Sequence, residues 1–228
     1  MTEDTATAKP VTAIPQTAAR LSFAGAATFL ALLIALHFIK PELDPSWRMV
    51  SEYELGRYGW VMMLAFLSLA SSCATLFVAI RSEIHTIGGK IGLAFLLVAA
   101  LGMTIAAIFT SDPITASQDE LTTHGTLHGL GAALGIPGFP IAATLISLSL
   151  ARNPAWSPAR RLLLWTAGLN WISLLVFVVF VAVMLPQSGG KFGPEVLIGW
   201  PNRLFVAANS LWLMVAAWRA ARLSRQRS

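Results

Sequence analysis

Charge is scarce in this chain and cysteine almost absent. Of its 228 residues only 12% are Asp, Glu, Lys or Arg while 56% are hydrophobic, a balance that excludes both a disordered polymer and an ordinary water-soluble domain. The single cysteine, Cys73, can form no intrachain disulfide and falls within an apolar run. The alternation of apolar and polar residues that marks membrane barrel strands is also missing. Leu174 to Leu185, for instance, is apolar on every side, which argues for helix rather than strand. Tandem repeats, coiled-coil heptads and the inverted repeats of many transporters are not evident either.

What the chain has instead is six long apolar blocks. A hydrocarbon layer about 30 Å thick demands roughly 18 or more uncharged residues of a crossing helix, and the blocks meet that demand. The expected spans are Leu21 to Ile39, Tyr58 to Ile80, Ile91 to Thr110, His124 to Leu150, Leu162 to Leu185 and Leu204 to Trp218. This predicts an all-α integral membrane bundle of six transmembrane helices over residues 21–218. Residues 1–20 read as a disordered cytoplasmic tail, because the stretch before Thr17 is Thr- and Ala-rich and broken by Pro10 and Pro15. Glu3 and Asp4 argue against a cleaved signal peptide. Residues 219–228 read as a basic cytoplasmic tail.

The net charge of +5 raises nucleic acid as a partner, and the placement of the basic residues rejects it. They flank the apolar blocks. Arg81 and Lys90 bound the second connection, Arg152, Arg160 and Arg161 fill the fourth, and Arg219, Arg222, Arg225 and Arg227 follow the last block, where they would meet anionic lipid headgroups. Glu42, Asp44, Glu52, Glu54, Asp112, Asp119 and Glu120 lie in the first and third connections. Positive charge gathers on the cytoplasmic side, so both termini are expected in the cytoplasm of a cell whose inner membrane holds the protein. Trp60, Trp165, Trp171 and Trp200 are expected at the headgroup level as anchors.

Ionisable residues near or inside spans cost at least about 2.5–3.5 kcal/mol at the bilayer centre, so each needs a partner, a cavity or an interface. His124 and His128 stand four apart in HGTLH, on one face of the fourth span. Such a pair is half of a zinc site, with Asp112 as a third ligand; zinc is then the cofactor. No HExxH glutamate accompanies it. The bland alternative has both histidines hydrogen-bonding within the bundle, and Asp112, which precedes Pro113, capping a helix start. Ser51 and Glu52 fit a turn tucked under the outer mouth, while Glu54 and Arg57 read as a solvated face. Arg203 stands on the side disfavoured for positive charge and is expected to pair inward with Asp112 or Glu52. Asn170 and Asn209 read as interhelical hydrogen bonds. Glycines from Gly125 to Gly138 suit close packing of the fourth span, and Pro137 and Pro140 predict a kink there.

Three stretches, PELDPSWRMVSEYELGRYGWVM, FTSDP followed by HGTLHGLGA, and GWPNRLFV, together resemble a bacterial and archaeal six-span membrane family catalogued as domain of unknown function 998. The resemblance covers Leu21 to Trp218 and implies six spans with a shared outer polar cluster of Ser51, Asp112, His124, His128 and Arg203. It implies no reaction. Three functions stay open on this reading. One is a metal-dependent membrane-embedded hydrolase or lipid-modifying enzyme acting on a hydrophobic or lipid-like substrate, with Ser51, Asp112 and Arg203 as candidate catalytic or positioning residues. The others are a small-molecule transporter and a structural or regulatory membrane subunit whose outer histidines and carboxylates only knit helices together, and membrane lipid is an expected partner throughout.

Overall fold

The computed structural model describes residues 15–227, and the part of the expected N-terminal tail before Pro15 lies outside them. Six long helices account for every expected span: α1 (Gln16–Ile39), α2 (Gly59–Ile80), α3 (Ile87–Ile108), α4 (Thr123–Leu150), α5 (Arg160–Gln187) and α6 (Gly199–Arg227). All six are long and apolar enough to cross a bilayer. Helix extends into both expected tails where they adjoin the bundle. Gln16 to Arg20 belong to α1, and α6 runs on through the arginines to Arg227. Arginine is a good helix former, and its long stem covers apolar surface while the guanidinium reaches outward, so a run of arginines need not end a helix. Arg219 goes further and donates to the Ala155 carbonyl.

The helices form a closed ring in chain order. Each packs on its sequence neighbours, α3 on α4 most extensively, and α1 closes the ring against α6. α6 is the most deeply buried, with 61% of its apolar window covered, whereas 17% of the α5 window is covered, so α5 turns most of its surface to lipid. Trp212 of α6 lies fully buried and donates to Ser147 Oγ of α4 at 3.0 Å. Trp60, Trp165 and Trp200 are exposed near helix ends, whereas Trp171, also exposed, lies about three turns inside α5 and donates to Thr144 Oγ1 at 2.8 Å.

Helix starts obey simple chemistry. Thr86 Oγ1 accepts from Gly89 N at 3.0 Å and Thr122 Oγ1 from Gly125 N at 2.9 Å, each satisfying an orphan amide of the first turn. α4 continues as helix through Pro137 and Pro140. It meets α3 at a glycine crossing: a Cβ on Gly102 would stand 2.5 Å from the Gly131 carbonyl oxygen, and one on Gly131 would stand 2.6 Å from that of Gly102. Two bare backbones therefore touch where any side chain would hold the helices apart.

The bundle has one end rich in acidic connections and one rich in basic ones. At the basic end Glu83 is buried, accepting from Asn153 Nδ2 at 3.1 Å and Trp156 Nε1 at 3.2 Å. At the acidic end the connection between α1 and α2 does not arch into solvent. Its short 3-10 turn, Val50–Glu54, dips into the mouth of the ring and buries Val50, Glu52, Tyr53 and Glu54.

Candidate functional site

The 3-10 turn is held from both flanks. Gly59 opens α2 directly against the Glu54 backbone, where a Cβ would collide with the carbonyl group, and Gly199 N, opening α6, donates to Ser46 O at 2.9 Å. Asn202 Oδ1 of α6 accepts from Val50 N at 3.0 Å. Lys40, whose pKa is lowered by burial despite the opposing pull of Glu42, donates to the carbonyls of Tyr53 and Leu55. These contacts drive two carboxylates inward.

The two carboxylates meet different fates. Glu52, 1% exposed, is fully occupied: Oε1 takes Arg48 Nη1 at 2.7 Å and Ile114 N at 3.0 Å, and Oε2 takes Met49 N at 3.1 Å. Glu54 uses a single oxygen. Its Oε2 accepts from Ser111 N at 3.1 Å and lies 3.2 Å from His128 Nδ1, while buried Oε1 finds no hydrogen-bond partner among the described residues. A buried carboxyl oxygen without a partner is costly, so Oε1 stands as an unsatisfied polar atom of the turn.

His128 is oriented without ambiguity. Nδ1 also faces the carbonyls of Ala106 at 3.0 Å and Phe109 at 2.9 Å, so three acceptors surround one nitrogen and the proton must sit there. Phe66 packs beside the ring, 5.9 Å between centroids. Nε2 makes no hydrogen bond to the described protein, and the side chain lines two adjoining cavities. The first, about 740 Å³, is the more polar of the two and sits at the acidic end, with Glu52, Asp112, Gly125 and Lys191 in its wall. The second, about 380 Å³, runs into the bundle among Phe66, Met103, Phe139, Phe177 and Phe205. Met49, Ser51, His128, Ala132 and Phe192 belong to both. Volumes of this size are those of small-molecule sites, about 300–1,000 Å³. In the apolar cavity Asn209 of α6 is 2% exposed, and its amide makes no hydrogen bond to the described protein.

The family model described as "Protein of unknown function (DUF998)" matches residues 23–219. The chain belongs to the DUF998 family. No curated protein and no solved structure matches it.

In this DUF998 protein the candidates from sequence divide. Ser51 and His128 come together on the two cavities. Asp112 does not join them as a ligand: Oδ2 accepts from Thr122 N at 2.9 Å and Oδ1 from Thr122 Oγ1 at 2.8 Å, so it braces the start of α4, the capping role weighed above. His124 is exposed and set edge-on to Phe109, 5.4 Å away. Among the described residues no group of three or more His, Cys, Asp or Glu is placed to hold a metal ion, so His124, His128 and Asp112 do not assemble the zinc site. The reason is positional: one helical turn carries His124 out of the mouth while His128 turns in beneath it.

Arg203 pairs with neither Asp112 nor Glu52. Its Nε donates to His37 Nε2 at 2.8 Å, Nη1 to the carbonyls of Arg48 at 2.6 Å and Gly199 at 3.1 Å, and Nη2 to Tyr53 Oη at 3.1 Å. His37 Nδ1 meets Leu33 O at 2.7 Å, which fixes Nε2 as the acceptor. The arginine thus clamps α1, the 3-10 turn and α6. Asn170 makes the expected interhelical bond, Nδ2 to Ala208 O at 3.3 Å. Glu54, read from sequence as solvated, is instead buried beside His128, and the available signal was VSEYEL, where the carboxylates alternate with Val50, Tyr53 and Leu55.

Proposed function

We propose that this membrane protein takes up an amphipathic, lipid-like molecule, seating its apolar tail in the inner cavity and its polar head beside Glu54 and His128. The observation that carries this reading is the junction itself. An aromatic-lined cavity inside a membrane bundle shares Ser51 and His128 with a more polar one beside it, which matches the change of polarity along such a ligand. The unpartnered Asn209 amide gives the apolar end one polar group that a hydroxylated or water-bearing ligand satisfies.

We further propose that both termini are cytoplasmic and that the site faces the outer side of the cell membrane. The excess of Lys and Arg around the second and fourth connections and the end of α6 supports this orientation.

The ligand reading is tested by native mass spectrometry and thermal unfolding of protein exchanged into a detergent of different mass, with fatty acids, monoacylglycerols and lysophospholipids of graded chain length. Wild type should retain or take up a lipid and unfold at higher temperature with it. Ala132→Phe, which obstructs both cavities at their junction, should abolish uptake, whereas Val179→Phe on the lipid-facing surface of α5 should not. Absence of uptake by wild type across the panel refutes the proposal.

A further inference from the structure

We propose that Ser51, His128 and Glu54 form a nucleophile–base–acid relay that cleaves an acyl ester of the lipid, with Asn202 as the donor to the developing oxyanion. This inference rests on the ligand reading above and assigns a reaction to the same site.

The case begins with the imidazole. A general base needs one nitrogen held protonated by a fixed acceptor and the other turned toward the substrate. His128 meets the first condition, with Nδ1 held by two backbone carbonyls and Glu54 Oε2 3.2 Å away, and its Nε2 is uncommitted in a residue that lines both cavities. A carboxylate 3.2 Å from Nδ1 also stabilises the imidazolium that forms when Nε2 takes a proton.

Ser51 supplies the nucleophile. Ser51 lines the same two cavities as His128, and its Oγ makes no hydrogen bond to the described protein, which leaves the hydroxyl uncommitted. Its backbone is tied into the same network, because the Ser51 carbonyl accepts from Ser111 Oγ at 3.1 Å while Ser111 N donates to Glu54. The turn therefore carries nucleophile and acid three residues apart, with the base arriving from α4. Asn202 stands beside them. Its Oδ1 is committed to Val50 N, one residue before the serine, and its Nδ2 is an unused donor on the cavity wall.

The reaction balances with water as the only co-reactant. Ser51 Oγ bonds to the acyl carbon as its proton passes to His128 Nε2, and the carbonyl electron pair moves onto the oxygen facing Asn202 Nδ2. Collapse breaks the bond to the alcohol oxygen, which leaves with the proton from Nε2. Water then attacks the acyl-serine, gives its proton to Nε2 and releases the carboxylic acid, and Ser51 regains its hydrogen. Ester and water become acid and alcohol.

An alkyl fluorophosphonate with a long chain, applied to full-length protein in lipid nanodiscs, tests the relay. Wild type should gain one adduct, mapped by mass spectrometry to Ser51, and should hydrolyse p-nitrophenyl esters with a preference for longer chains. Ser51→Ala should lose both. His128→Gln should slow labelling at least about 100-fold. Glu54→Gln should slow it less, about 10- to 100-fold, because the Ala106 and Phe109 carbonyls still fix the tautomer, and should shift the pH midpoint of labelling downward. A wild type that binds lipid yet gains no adduct and hydrolyses no ester, or a Ser51→Ala variant that labels as wild type does, overturns the relay and leaves the ligand reading standing. Failure of lipid uptake overturns both.

Discussion

Replacing Glu54 by alanine removes an acceptor from one buried amide and one buried imidazole at once. Ser111 N loses its partner, an unsatisfied buried donor costing about 1–3 kcal/mol, whereas His128 Nδ1 keeps the Ala106 and Phe109 carbonyls and loses mainly the carboxylate's charge. Breaking one side of a buried pair typically costs about 3–5 kcal/mol. Part of that is returned here, because the stranded Oε1 leaves with the residue, so the expected loss lies near the lower figure. The interaction is isolated by a double-mutant cycle of Glu54→Ala, His128→Leu and the combination, measured by reversible unfolding in mixed micelles. Groups 3.2 Å apart and shielded from water should couple by about 1–2 kcal/mol. A coupling below about 0.5 kcal/mol would mean that the two side chains do not sense each other, and the placement of Glu54 inside the mouth would be wrong.

Other consequences follow from contacts at the same end and along α4. Arg203→Lys replaces a fork that reaches four acceptors by a point charge, and should cost about 2 kcal/mol in the same unfolding assay; stability equal to wild type would refute the clamp. Gly102→Val should destabilise by about 1–3 kcal/mol by forcing α3 and α4 apart, while Gly129→Ala, with open space around it, should leave the unfolding midpoint within error; equal effects of the two would contradict the crossing.

The spans were legible because hydrocarbon solvation acts on every residue of a helix, so the signal accumulates over about twenty positions. Their ends were not, since Gln16 to Arg20 and the arginines after Trp218 are polar in sequence yet good enough helix formers to prolong the helix. His128 stood out as an ionisable group in an apolar block. Glu54 did not, because a charge in a connection ordinarily meets water, and its burial depends on Gly59 and on the tethers from α6, contacts distant in sequence. Asp112 shows the converse. Its residue type suits a metal, but Thr122 lies within reach of both its oxygens and uses them.

Because every helix leans chiefly on its neighbours in the chain, assembly can proceed hairpin by hairpin, each pair forming through local contacts as it is made. The last helix is the exception. α6 must close the circle against α1 and also brings Asn202, Arg203 and Gly199, which draw the 3-10 turn down into its place. The interior chamber is thus a late product of biogenesis, and until the sixth helix arrives its greasy walls stand open to the surrounding acyl chains.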